Sequence, residues 1–204
     1  MNELIKLVDQ EPLEQTVQEY LEDNPSAICG AKYVMGNGII SKLPLGNNYI
    51  TDFAYINPQS GYTFLHLIEI EKPGKSIFTK NDEFTQEFKQ ALQQVQDWLQ
   101  WCSINHPYIR DLFEPLREMF DESVWLYNVR ALLIYGRQSE INNARRKDRW
   151  SQQKTNNPFI EIRTYDGFAR EMNHFLPPNN NFVDMINTYH YVQRSFKLKK
   201  RAKR

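Results

Sequence analysis

The sequence predicts an α/β domain: a central mixed sheet flanked by helices. Three observations carry that expectation. Residues 65–71 and 129–135 are short apolar runs rich in Leu, Ile and Val, with the length of strands. Between them, residues 83–102 place Phe84, Phe88, Ala91, Leu92, Val95, Leu99 and Cys102 on one helical stripe. The order helix, strands, helix, strand is that of a sheet packed under helices, not of a bundle or a sandwich.

Taken in order, residues 12–23 read as a helix, with Pro12 at an early position and Leu13, Val17, Tyr20 and Leu21 at helical spacing. Asn24-Pro25 ends it. Short strands are expected over 28–34 and 37–42, joined by Gly36-Asn37-Gly38 as a hairpin turn. A strand carrying Asp52 ends near Asn57-Pro58, and Ser60-Gly61 turns the chain into the strand carrying Glu69. Pro73-Gly74 breaks the chain before the long helix. A helix over 109–121 and the strand over 129–135 follow, the latter closed by Gly136-Arg137. A polar helix containing Arg145, Arg146, Lys147 and Arg149 leads to a strand over 159–163, and Asp166 is placed to cap a helix running to about residue 175. With no internal repeat and no interdomain linker, residues 1–193 are expected to form one domain and 194–204 a basic, disordered tail.

Composition narrows the function. Of 204 residues, 41% are hydrophobic and 25% charged, with twelve Phe, eleven Tyr and four Trp to fill a core. No apolar run reaches the roughly 18 residues of a membrane span, and the N-terminus is not a signal peptide, so no membrane partner and a cytoplasmic location are expected. Cys29 and Cys102 match no metal-ligand spacing and are expected to stay reduced. The zero formal net charge hides an asymmetry: residues 194–204 hold seven of the 25 Lys and Arg and no acid, leaving 18 bases against 25 acids in the rest. That tail is either a solvated end or an arm for phosphate backbones, through Lys197, Lys199, Lys200, Arg201, Lys203 and Arg204.

The candidate chemistry lies in the acids. Strand side chains alternate faces, so Leu65, Leu67, Glu69 and Glu71 point one way and His66, Ile68 and Ile70 the other. Charges on an otherwise apolar strand face are costly unless paired or bound to a metal. Either this is a solvated acidic strand end, or Asp52, Glu69 and Glu71 converge as a hard oxygen site for magnesium or manganese. Gln94, beside Ala91, Val95 and Trp98, either packs the helix on the sheet or reaches that site. Glu14 and Gln18 share a helical face at i, i+4 and either lean towards the site or lie exposed, the simpler reading. His66 points away from Glu69, and His106, His174 and His190 have no partner at ligand spacing.

Asp52, sixteen intervening residues, then Glu69-Ile70-Glu71-Lys72 resembles the PD-(D/E)xK nuclease signature, and the element order resembles that superfamily's restriction-endonuclease-like core. A more particular resemblance spans most of the chain. Leu21-Glu22-Asp23-Asn24-Pro25, Ile50-Thr51-Asp52-Phe53, Ile68-Glu69-Ile70-Glu71-Lys72-Pro73, Ala91-Leu92-Gln93-Gln94-Val95-Gln96-Asp97-Trp98, Leu133-Ile134-Tyr135-Gly136-Arg137 and Ile162-Arg163-Thr164-Tyr165-Asp166 resemble, in order, the nuclease domain of the Shedu anti-phage family.

The resemblance implies a metal-dependent DNA endonuclease of phage defence, a homo-oligomer with phage DNA as its partner. It further implies magnesium or manganese held by Asp52, Glu69 and the Ile70 carbonyl, and catalysis involving Asp52, Glu69, Glu71, Lys72 and Gln94. Gln94-x-x-x-Trp98 is similar to a Gln-x-x-x-Tyr element of some branches of the superfamily. The chain departs from the pattern at one point. Glu71 stands where the family has Lys, and Lys72, one residue on, belongs to the opposite strand face. Two other readings stand beside the DNA endonuclease: a catalytically degenerate module that binds nucleic acid or a partner subunit, and an RNA or single-strand nuclease.

Overall fold

The computed structural model describes residues 3–24, 26–29, 39–59, 62–120, 127–175, 192–193 and 196–197. Three helices come first: α1 (Glu3–Val8), α2 (Glu14–Asp23) and α3 (Ser26–Cys29). Strands β1 (Ile40–Ser41), β2 (Pro44–Leu45), β3 (Tyr49–Ile50), β4 (Phe53–Gln59) and β5 (Tyr62–Ile70) follow. Helices α4 (Gln86–Ile104) and α5 (His106–Phe120) lead to β6 (Tyr127–Ile134). The remainder is a 3-10 turn (Gln138–Glu140), α6 (Ala144–Asn156), β7 (Ile160–Arg163), α7 (Tyr165–Phe175) and the short strands β8 (Val192–Gln193) and β9 (Phe196–Lys197).

Five strands form one sheet in the order β1-β4-β5-β6-β7. β4 and β5 are an antiparallel hairpin, registered from Phe53 opposite Ile68 to Gln59 opposite Tyr62. β5, β6 and β7 are parallel, with Glu69 opposite Leu133. The sheet is therefore mixed, and helices cover both faces.

The alternation of β5 sets those faces. Leu65 and Leu67 join a core with Phe88, Ala91, Leu92, Val95, Trp98 and Cys102 of α4. Ile68 and Ile70 enter a second core with Leu4 and Val8 of α1, Val17 and Leu21 of α2, and Tyr165 and Phe168 of α7. A central parallel pair buried on both sides is the reason these runs are almost continuously apolar.

Helix α4 begins where Thr85 Oγ1 accepts from Phe88 N (3.2 Å). At the other end of β6, Gly136 turns the chain with φ +62°, and a Cβ there would lie 2.6 Å from Ile77 Cγ1. That close approach leaves room for glycine alone.

Several expectations need correction. Helix α1 has no counterpart in the sequence reading, because six residues are too few to display a helical period; Leu4 and Val8 bury it. Residues Ile28 and Cys29 are helical, not the start of a strand: Ala27 N donates to Asn24 O (2.9 Å), so the chain keeps turning after α2. The hairpin turn expected at Gly36-Asn37-Gly38 lies outside the described residues. Asp166 does not cap α7. Thr164 does, its Oγ1 accepting from Gly167 N (3.2 Å), while Asp166 accepts from Arg137 Nε (3.1 Å), Arg137 Nη2 (3.0 Å) and Gln138 N (2.7 Å). Of the six basic tail residues singled out, Lys197 lies in β9; Lys199, Lys200, Arg201, Lys203 and Arg204 fall outside the described residues. Cys29 and Cys102 are buried free thiols. Among the described residues, no helix is long and apolar enough to cross a membrane.

Candidate active site

The open end of the β4–β5 hairpin gathers the charged residues. Asp52 lies one position before β4 and extends the ladder, its N–H donating to Ile68 O (3.1 Å). Its carboxylate is buried, at 5% exposure for the residue. Oδ2 accepts from Ile70 N (2.8 Å), and Oδ1 is ion-paired with Lys42 Nζ. Lys42 N also donates to Asp52 O (2.9 Å). A carboxylate held by a backbone N–H and an ammonium meets the condition for burial.

Glu69, on the face that α4 covers, is 8% exposed and accepts at Oε1 from Gln94 Nε2 (2.8 Å). Its carboxyl also lies within hydrogen-bonding reach of Asp52. Burial, then the charge and hydrogen bond of Asp52, then Glu71 and Glu14, push Glu69 up to about 10. Two carboxyls so placed cannot both ionise cheaply, so Glu69 keeps a proton at neutral pH and donates it to Asp52.

Glu71, just past β5, is fixed by its backbone: its N–H donates to Ile134 O (3.1 Å), and its carbonyl accepts from the buried Tyr165 hydroxyl (2.5 Å). Its carboxylate is ion-paired with Lys75 Nζ. Among the described residues no three His, Cys, Asp or Glu stand together as a metal-holding group. The structure thus brings Asp52 and Glu69 together and leaves Glu71 beside them on its own lysine. Ile70 takes part through its amide, on Asp52.

Lys72 is half-buried and supplies its backbone carbonyl to Lys75 N (3.0 Å); its ammonium joins none of the three acids. Gln94 reaches Glu69 as well as packing α4 on the sheet. Trp98 is fully buried in the core and its Nε1 has no hydrogen-bond partner, so it supports the helix from beneath. A cleft of about 420 Å³ lies between Asn48, Tyr49 and Ile50 and the α4 residues Gln90, Gln93, Gln94, Asp97 and Trp98. His66 stacks on Tyr55 (centroids 4.6 Å apart), on the other face as expected.

Two residues of the site escape the sequence reading. Lys42 and Lys75 supply the cations of the site, and neither follows from strand periodicity. Of the two readings for Gln18, the structure takes the one that leans towards the site and not surface exposure: the residue is 6% exposed, with Nε2 donating to Glu22 Oε1 (3.1 Å), Ser41 Oγ (3.3 Å) and Asp52 O (3.4 Å). Glu14 is exposed, as expected, yet partial burial followed by the charges of Asp52 and Glu71 raises its pKa.

Residues 11–169 match the family model described as Shedu protein SduA, C-terminal. The chain belongs to the Shedu family. The matched span holds every residue of this Shedu site, from Glu14 through Lys42, Asp52, Glu69, Glu71, Lys75 and Gln94 to Tyr165. The basic segment 194–204 lies beyond it. No curated protein matches the chain.

Proposed function

We propose that the chain is a metal-dependent DNA endonuclease acting in anti-phage defence. The observation that supports this reading best is the buried Asp52–Glu69 carboxyl pair at the mouth of the hairpin, in a chain of the Shedu family. Two carboxyls crowded until one retains a proton are a donor set that a hard divalent cation suits, since the cation replaces the proton and removes the repulsion. The fit has a condition: Lys42 Nζ must leave Asp52 Oδ1. Magnesium or manganese held by Asp52 and Glu69 would polarise a phosphoryl oxygen and lower the pKa of a water.

The remaining work falls to the chain's own residues. Gln94 Nε2 fixes one oxygen of Glu69, whose carboxyl lies beside Asp52. Glu71, whose backbone is clamped between Ile134 and Tyr165, positions the attacking water and takes its proton. Lys75 stands in for the lysine that the Glu71 substitution removed: four residues downstream of Glu71, its ammonium sets positive charge where the phosphate gains negative charge. Phage DNA as substrate, a homo-oligomer, and phosphate contacts from the 194–204 segment complete the proposal.

A second reading, the catalytically degenerate binding module, is favoured by one feature. Both Asp52 and Glu71 already hold an ammonium, and no three acids of the described residues group as metal ligands. Supercoiled plasmid incubated with the protein in magnesium, in manganese and in chelator separates the two. Nicked or linear product with metal, absent with chelator and absent for Glu69→Gln, is expected of the nuclease. Intact plasmid throughout, with a retarded complex on a gel, would instead mark the binding module.

A further inference from the structure

Lys42 occupies an unusual position for a surface lysine. Its backbone is left-handed, at φ +55°, a conformation that L side chains rarely adopt. Its N–H and its ammonium both bond to Asp52, the first to the carbonyl and the second to Oδ1. A lysine in a short connection between strands β1 and β2 would ordinarily extend its head into water. This one caps a buried carboxylate instead: its side chain stays 49% exposed, while the carboxylate it covers is 8% exposed. The other Asp52 oxygen is taken by Ile70 N, and the neighbouring Glu69 is anchored by Gln94. A cation from outside that binds Asp52 at Oδ1 therefore finds an internal cation already on it.

We infer that Lys42 is a built-in competitor for the divalent cation, a gate that couples metal loading to the arrival of nucleic acid. The inference rests on the metal-dependent reading above. With Lys42 on Oδ1, the Asp52 carboxylate is satisfied without metal, by one ammonium and the Ile70 N–H. A divalent cation on Oδ1 must displace that ammonium. A phosphate of an incoming strand offers the Lys42 ammonium a better-exposed anion, so strand binding frees Oδ1 and tightens metal binding. By linkage the metal tightens strand binding by the same factor.

The test is calorimetric titration of manganese into the full chain and into Lys42→Gly, Lys42→Gln and Lys42→Arg. Glycine suits the left-handed backbone, and glutamine keeps the stem of the side chain without its charge. A unit and a double positive charge roughly 6 Å apart in water repel enough to weaken binding about tenfold. Lys42→Gly and Lys42→Gln are therefore expected to bind manganese about tenfold tighter than wild type, and Lys42→Arg no tighter than wild type. A phosphorothioate DNA duplex should tighten manganese binding to wild type and leave Lys42→Gly unchanged. Equal manganese affinity in wild type, Lys42→Gly and Lys42→Gln overturns the gate while leaving the metal site intact. Weaker binding in both variants would make Lys42 a support of the site and overturn the gate as well. No manganese binding by any of the four proteins overturns the metal-dependent reading itself.

Discussion

Glu69→Gln should stabilise the fold in the absence of metal while removing its function. The side chain keeps its shape and both contacts: a Gln oxygen accepts from Gln94, and its amide N–H replaces the shared proton to Asp52. What it loses is the tendency to ionise. Glu69 is raised from 4.5 to about 10, first by burial and then by Asp52. The native state therefore holds a proton that the unfolded chain releases above pH 4.5. For wild type this favours folding least at high pH: stability falls as pH rises from 4.5 towards 10.

Each pH unit in that window costs up to about 1.36 kcal/mol, which sets a ceiling near 5 kcal/mol at pH 8. Relaxation and water penetration screen buried charges towards an effective dielectric of about 20, so roughly 1–3 kcal/mol is the expected gain. For a chain of this length that is about 2–4 °C of Tm per kcal/mol. The assay is a set of thermal melts in chelator from pH 5 to pH 8.5. Glu69→Gln should melt with wild type at pH 5 and progressively above it as pH rises. Added manganese should then close the gap, by stabilising wild type alone. A variant less stable than wild type at pH 8, or a gain that does not change with pH, would refute the carboxyl-pair argument.

The other predictions concern the remaining charges. Glu71→Gln should lower plasmid cleavage by about 10²–10⁴ while leaving DNA affinity in a gel-shift assay unchanged; cleavage at the wild-type rate would reduce Glu71 to a partner of Lys75. Removing residues 194–204 should flatten the salt dependence of DNA binding by about 0.9 log–log slope units for each phosphate the segment neutralises, and identical isotherms at two salt concentrations would dismiss the tail as an arm. Burial opposes ionisation of Asp166, but Arg137 and the Gln138 N–H outweigh it and hold the pKa below 3.8. The stability Asp166 contributes is thus present at neutral pH and lost as pH falls below about 4. Asp166→Ala should cost roughly 1–3 kcal/mol in denaturant melts at pH 7 and little in acid.

Strand periodicity exposes the hairpin and the face on which Glu69 lies, because one side of β5 has to match α4 and the other has to match α1, α2 and α7. It does not show which cations the acids meet. Lys75 reaches Glu71 only because the turn at Pro73-Gly74 folds the chain back, with Lys75 N donating to Lys72 O (3.0 Å). As a strand continuation Lys72 would be the nearer lysine, yet β5 stops at Ile70. Lys42 depends on a left-handed residue that no pattern of apolar positions forecasts. Gln18 is legible in part: it follows Val17 and precedes Leu21 by three positions, so it borders the buried stripe of α2, and a polar side chain there needs a partner. The six residues of α1 carry no such signal.

The charge inventory of the site bears on what it is for. Four carboxyls, those of Glu14, Asp52, Glu69 and Glu71, act on one another there, against the ammoniums of Lys42 and Lys75. Buried ionic groups are a poor source of stability, because desolvation offsets most of what pairing returns. A site whose only task were to fasten α4 to the sheet would gain more from an apolar residue at position 69, on a strand face otherwise lined by Leu65 and Leu67. Instead the fold tolerates a carboxyl held far from its ordinary ionisation, with a glutamine set to orient it and an exposed lysine paired to its neighbour. On the metal-dependent reading proposed above, strain of this kind, concentrated where a cation would relieve it, is stability given up at one point for chemistry. If chelator-treated Glu69→Gln proves the more stable protein and the less active one, that exchange will have been measured at a single residue.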